Sequence, residues 1–277
     1  MVQDQNPKLW HPARFTHGHI HGSGDGPFGP DEVKQHTVII LNNPLENRNL
    51  LVDVCIEARC IVCADGGANR LHDLHLAGKE KTICFPNAIC GDLDSLRLDV
   101  EEHYRSQDVK IIKDPDQYST DLTKCLKYIR DQIVETEDEY ESPRRGVDVA
   151  IFGSLGGRAD QAFSQLHHLY TSSQDFPSMI GDLYLITAES VMFLLEKGKN
   201  RIHAPVGPRH FTENVGVIPI GRPSKVTMHG FEWDVTDWRT EFGTQMSTSN
   251  HIRAEIVEVE TSERVLFTLE TARKPGR

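Results

Sequence analysis

The sequence predicts an α/β first half built on a mainly parallel sheet, followed by an all-β C-terminal part. From His36 onward, short apolar runs alternate with stretches of helical period, the pattern of strands joined by crossover helices. Beyond about residue 183 the helical period stops, and apolar runs alternate with turn residues alone. Of the 277 residues, 38% are apolar and 26% charged, which is enough to fill such layers and too little charge for wholesale disorder.

Residues 1–35 hold five Gly, four Pro and four His with no apolar periodicity, so they are expected to form a flexible tail. His17, His19 and His21 alternate there and could hold a metal weakly, but a flexible polar extension is the simpler reading and no function is assigned. Candidate strands follow at 37–41, 60–64, 88–91, 109–112 and 147–152, each an apolar run closed by polar or Gly-rich residues. The clearest helix begins near Thr120, with Leu122, Cys125, Leu126, Ile129 and Ile133 on one face and Ser119 or Thr120 as its cap. A second is expected around 96–104, and the acidic stretch 135–141 reads as a solvated helix end and loop. The runs 183–186, 191–195, 215–220 and 265–269 read as the strands of the all-β part.

Lys and Arg total 30 against 41 Asp and Glu, a formal charge of −11 that repels nucleic acid and anionic membranes. A phosphate substrate is therefore expected to arrive with a metal ion. Aliphatic runs such as 38–41 are far too short to span a bilayer and the N-terminus is polar, so a cytoplasmic protein is expected. The six Cys all lie in the first half, several inside strand-like runs, and are expected to be reduced core residues. Cys60 and Cys63 form a C-x-x-C, but no second pair accompanies it, which favours core packing over zinc or redox use.

In open α/β sheets ligands bind beyond the carboxyl ends of the strands, so the loops that follow strands are where chemistry is expected. The first is Ala64-Asp65-Gly66-Gly67-Ala68-Asn69-Arg70. Paired glycines let backbone amides approach an anion at a helix N-terminus; the alternative is a tight turn with Asp65 as a cap. In Gly91-Asp92-Leu93-Asp94-Ser95, two carboxylates one residue apart suit Mg2+ beside a phosphate, or else cap the next helix. Asp116-Gln117-Tyr118-Ser119-Thr120-Asp121 adds a further carboxylate, with Gln117 and Thr120 able to hydrogen-bond a ligand. Lys124, one turn on, either reaches a phosphate or lies in solvent. In the loop 153–161, Arg158 offers a planar fork to phosphate oxygens and Asp160 opens the next helix; a surface pair between the two is the alternative. In the all-β part, Trp233 could stack on a flat heteroaromatic ring, and Ser247, Thr248, Ser249 and Asn250 could present hydrogen-bonding groups to its edge.

Taken in order, the segments ADGGANR, GDLDS, DQYSTD, GSLGGRADQ, GVIPIG, GFEW and FGTQMSTSN resemble the thiamin pyrophosphokinase family from roughly residue 36 to the C-terminus. The resemblance implies an α/β catalytic domain binding ATP and Mg2+ over 36–196, a β-sandwich thiamin-binding domain over 197–277, and a homodimer with sites shared between subunits. It implies transfer of the pyrophosphoryl group of ATP to the hydroxyethyl oxygen of thiamin, giving thiamin diphosphate and AMP. By the same resemblance Asp92, Asp94 and Asp121 hold the metal, with Asp65 a further acidic member. Gln117, Thr120, Arg158 and Asp160 fall beside nucleotide or phosphate, and Gly66 and Gly67 leave room for it. Trp233 and Ser247, Thr248, Ser249 and Asn250 fall beside thiamin, supplied by the opposite subunit. The proton acceptor is left open between a carboxylate and metal activation alone. Glu232 departs from the family, which more often shows Gly-Leu-Lys-Trp at this turn. Two competing readings are a Mg2+-dependent nucleotide pyrophosphohydrolase, which would not need the C-terminal aromatic and Ser/Thr segments, and a non-catalytic thiamin-binding regulator, which would not need the acidic set.

Overall fold

A computed structural model of the protein describes residues 6–16, 36–77, 84–136, 146–176 and 180–272, with backbone only for 133–136. It divides into two compact units, Gly18–Ala188 and the combination of Met1–His17 with Glu189–Arg277.

The first described element corrects the expectation of a tail over 1–35. Strand β1 (Lys8–Trp10) pairs in parallel with β9 (Gly198–His203), and a 3-10 turn follows at Pro12–Phe15. Trp10 is 1% exposed and Phe15 fully buried. The indole Nε1–H of Trp10 donates to Asn200 Oδ1 at 2.9 Å, and its ring stacks on Phe193 at 4.8 Å. Two aromatic anchors therefore order a segment whose composition is that of a linker. His17, His19 and His21 lie outside the described residues.

The α/β unit runs β2 (His36–Ile40), α1 (Arg48–Ile56), β3 (Ala58–Ala64), α2 (Gly67–Ala77), β4 (Ala88–Gly91), α3 (Leu98–Arg105), β5 (Lys110–Lys113), α4 (Asp121–Thr136), β6 (Val147–Phe152), α5 (Ala159–Asp175) and β7 (Ile180–Ile186). Its strands lie in the order β7-β6-β2-β3-β4-β5, all parallel. Central strands of such a sheet are covered on both faces, which is why β2 and β6 read as continuous apolar runs and are buried almost throughout. Asn47 caps α1 by accepting the Leu50 N–H at 3.1 Å. On α4 the apolar stripe Leu122, Cys125, Leu126 and Ile129 is buried as its spacing predicts, while the side chain of Ile133 lies outside the described residues. After β2 the chain builds outward through β3, β4 and β5, then returns to place β6 on the other side of β2. The loops after β2 and β6 therefore diverge, leaving a crevice at the switch point.

The second unit adds β8 (Ser190–Leu195), β10 (Phe211–Ile218), β11 (Ser224–His229), β12 (Val235–Thr240), β13 (Ser247–His251), β14 (Ile256–Thr261) and β15 (Val265–Thr271) to β1 and β9. One layer is β13-β10-β15-β8 and the other β1-β9-β14-β11-β12, antiparallel except at β1. Period-two burial makes the sandwich: Val257, Val259 and Thr261 face in, while Glu258 and Glu260 alternate outward. Trp10 on one layer meets Phe193 on the other, and Phe193 meets Phe267 at 5.5 Å.

The six cysteines are free thiols, five of them buried. Burial pushes the Cys60 thiol up to about 11, and Cys63 rises for the same reason, so neither is a thiolate at neutral pH. Among the described residues, no helix is long and apolar enough to cross a membrane.

Candidate active site

Three loops of the α/β unit bring carboxylates together. Asp65 follows β3 with φ +43, and its N–H donates to Cys90 O at 2.9 Å, locking the β3 end against β4. It is 2% exposed; its Oδ2 accepts the Ser95 N–H at 3.1 Å, while Oδ1 is buried without a hydrogen-bond partner. Burial pushes the Asp65 carboxyl up to about 6; the Ser95 N–H opposes that rise, and the charges of Asp121, Asp92 and Asp94 add to it. After β4, Asp92 Oδ1 accepts the Asp94 N–H at 3.2 Å in a turn that passes through Leu93 at φ +65. Ser95 Oγ donates to Asp94 Oδ1 at 2.9 Å. One carboxylate oxygen from each of Asp65, Asp92 and Asp94 lies within 4.8 Å of the other two. Three hard oxygen donors at that spacing are within reach of one divalent cation.

Asp121, the first residue of α4, stands beside this trio rather than in it. A Cβ on Gly91 would lie 2.7 Å from Asp65 Cβ and 3.1 Å from Asp121 Oδ1, so only glycine lets the two acidic residues come this close to β4. Lys124 joins them: 4% exposed, it sets Nζ 3.3 Å from Asp121 Oδ1 and 3.7 Å from Asp92 Oδ2. It does not lie in solvent but faces two carboxylates as an internal counter-charge. Burial draws the Lys124 ammonium's pKa down, yet Asp121 and Asp92 outweigh that and the net shift is upward. Burial raises Asp121 as well, with Lys124 pulling it partly back.

The crevice between the loops after β2 and β6 holds a cavity of about 490 Å³, within the range of small-molecule sites. Thr120, Asp121, Gly157 and Arg158 line it, as do Ala64 and Ser95, the chain neighbours of Asp65 and Asp94. Gly157 has φ +70, and a Cβ there would sit 2.8 Å from Asn43 Oδ1. The Arg158 guanidinium forks onto Asp160, with Nε to Oδ1 at 3.1 Å and Nη2 to Oδ2 at 2.5 Å, so the surface pair weighed as an alternative does form. Thr120 Oγ1 caps α4 by accepting the Thr123 N–H at 3.2 Å and lies 3.1 Å from His168 Nε2. Gln117 is exposed. A Cβ on Gly66 or Gly67 would lie 2.3 Å from Asn42 Nδ2 or 2.2 Å from Ile40 O, so both glycines let α2 start close under β2.

Sequence reading passed over Asn42, Asn43 and Gln165 as lining residues. Arg70 Nε donates to Asn42 Oδ1 at 2.9 Å, Asn43 Nδ2 donates to Gly153 O at 2.6 Å, and Gln165 Oε1 accepts the Leu155 N–H at 2.7 Å. The signal for the two asparagines was their place after the first strand of the sheet; their loop lacks the Gly and Asp that marked the others.

The second unit places its own candidates around the β11–β12 turn. Trp233 is 53% exposed, and buried Asn250 holds its backbone on both sides, Oδ1 accepting the Trp233 N–H at 3.2 Å and Nδ2 donating to Trp233 O at 3.0 Å. Ser247 is half-buried on β13, with Thr248 and Ser249 exposed beside it.

Two family models match the chain: thiamin pyrophosphokinase, catalytic domain, over residues 52–181, and thiamin pyrophosphokinase, vitamin B1 binding domain, over residues 199–266. Thiamine pyrophosphokinase 1 of Arabidopsis thaliana is 32% identical over 254 residues, covering 85% of this chain and 86% of the relative. The crystal structure of yeast thiamin pyrophosphokinase is similar with a TM-score of 0.78 at 27% identity, covering 98% of this chain and 93% of that one. Thiamin pyrophosphokinase from Candida albicans shares the fold with a TM-score of 0.77 at 24% identity, covering 96% and 93%.

Proposed function

This chain belongs to the thiamin pyrophosphokinase family, and from that membership we propose that the acidic loops of its α/β unit hold Mg2+ and ATP while its β unit presents thiamin. The family's reaction transfers the pyrophosphoryl group of ATP to the hydroxyethyl oxygen of thiamin. A bond forms between that oxygen and the β-phosphorus, the bond from the β-phosphorus to the α,β-bridging oxygen breaks, AMP leaves with the bridging oxygen, and the hydroxyl proton is released.

The residues fit a divalent ion. The Asp65, Asp92 and Asp94 oxygens share one small volume, the donors are all hard, and the buried Asp65 Oδ1 has no hydrogen-bond partner. These three would hold the Mg2+, with Asp121 across Lys124 as the adjoining carboxylate. When bound, Mg2+ neutralises triphosphate charge and favours attack at the β-phosphorus. Thr120, Arg158 and the Gly157 turn line the cavity where the triphosphate would lie, and the Arg158 fork suits phosphate oxygens as well as it suits Asp160. By family membership Gln117 and Asp160 would meet the nucleotide, and Gly66 and Gly67 would leave it room. Trp233, with its exposed indole, would take the cationic thiazolium, and the 247–250 edge the pyrimidine. The proposal includes a homodimer in which the opposite subunit would supply the thiamin groups, and a cytoplasmic location, which the free thiols support.

The observation that carries this reading is the acidic trio, with its orphan Asp65 oxygen, at the edge of the switch-point cavity. The matched vitamin B1 binding domain favours thiamin over water as acceptor. Asp94→Ala tests it: Asp94 is exposed, so stability should stay within about 0.5 kcal/mol. Turnover and Mg2+ affinity by calorimetry should fall together, turnover by roughly a hundredfold. A folded mutant with near-normal turnover removes the metal assignment.

A further inference from the structure

Asn250 fixes the backbone of Trp233 but leaves its side-chain torsions open, and an exposed indole that must meet a flat cation gains from being held in one orientation. The ring beside it is His251, with centroids 5.2 Å apart and planes inclined by 40°. His251 is itself tethered: its Nδ1 lies 2.7 Å from Glu232 Oε2. Glu232 Oε2 also accepts from Arg253 Nη2, whose partner nitrogen Nη1 pairs with Glu213 and donates to Ile252 O at 3.2 Å. The backbone closes the same circuit, with Glu232 N–H donating to His251 O and Ile252 N–H donating to Glu213 O, both at 2.8 Å. A charged relay thus runs from Glu213 on β10, through Arg253 just past β13, to Glu232 in the turn and the imidazole against the indole.

We infer that His251 is a positioning residue for thiamin, setting the orientation of the Trp233 indole, and that Glu232 and Arg253 hold it there; the inference rests on reading Trp233 as the thiamin contact. The Glu232 charge is answered within the chain, first by His251 and then by Arg253, which together hold its carboxyl below the usual range and ionised at neutral pH. Glu232 is therefore a strut for the imidazole rather than a ligand contact.

Steady-state kinetics of the full-length wild type, Trp233→Ala, His251→Ala, His251→Phe and Glu232→Gln, with thiamin and ATP varied separately, test this. Trp233→Ala should raise the thiamin KM roughly tenfold or more. His251→Ala should raise it roughly three- to tenfold with kcat and the ATP KM within about twofold, Glu232→Gln should raise it less, and His251→Phe should recover most of the loss by restoring a flat ring. Trp233→Ala with an unchanged thiamin KM overturns the reading of Trp233 itself. A raised KM in Trp233→Ala beside an unchanged one in His251→Ala overturns the inference alone. Loss of kcat and both KM values together in His251→Ala, with Glu232→Gln silent, reduces His251 to a fold residue and also overturns it.

Discussion

Lys124 is buried between Asp92 and Asp121, so removing its ammonium leaves two carboxylates facing each other in a poorly solvated place. Breaking such a buried pair is costly in general, but Asp121 keeps more than a third of its side chain in solvent, which lowers the expected cost of Lys124→Met to about 1–2 kcal/mol. Added Mg2+ should recover part of that loss, because a cation bound by the acidic loops replaces the missing charge. Thermal melts with and without Mg2+ check this; the same deficit in both would mean that Lys124 contributes packing alone. Helical spacing told which face of α4 carries Lys124, but not what lies across from that face, so sequence reading left it between phosphate and solvent. Asp65 was legible as acidic, but its burial and orphan oxygen depend on β4 and the Ser95 amide, which no local pattern reports.

At the level of elements, the parallel strands were readable because strands covered on both faces are continuous apolar runs, and β4 and β6 fall where those runs predict. The acidic loops were readable because each follows a strand, the first two after buried apolar runs and the third after the edge strand β5. The cavity's other wall, Asn42 and Asn43, was not: it depends on the strand order β6-β2-β3, a long-range fact. One electrostatic tie holds the second acidic loop to α2. Arg97, just before α3, reaches both oxygens of Asp73 on α2, Nη1 to Oδ2 at 2.9 Å and Nη2 to Oδ1 at 2.6 Å. The hydrogen bonds from Arg97 hold the Asp73 carboxyl below the usual carboxylate range. A depressed folded pKa adds stability above the unfolded value of about 3.9, and that stability is lost as pH falls through the lower folded value. Both groups are largely exposed, so Asp73→Asn should cost less than about 1 kcal/mol at pH 7. The gap to wild type should close toward pH 3, which urea unfolding at the two pH values measures; a gap that stays constant would place the effect elsewhere.

For the whole molecule, the division into an α/β part and an all-β part was legible because helical period ends where the second begins. The allegiance of the N-terminus was not. Strand β1 is three residues long among Pro, Gly and His, and its partner β9 begins 190 residues later, so nothing local marks it as a strand. Its anchor is Trp10, buried against Phe193 and bonded to Asn200. Trp10→Ala should therefore destabilise the second unit by about 3–5 kcal/mol, as for other large core aromatics, whereas a loose tail would give no change in denaturant unfolding. The most direct measurement for the enzyme as a whole is a product assay with thiamin, ATP and Mg2+, separating AMP from ADP and omitting each component in turn. The expected result is AMP and thiamin diphosphate in equal amounts, both dependent on thiamin. AMP released without thiamin, or thiamin bound with neither product formed, would contradict pyrophosphoryl transfer at this site.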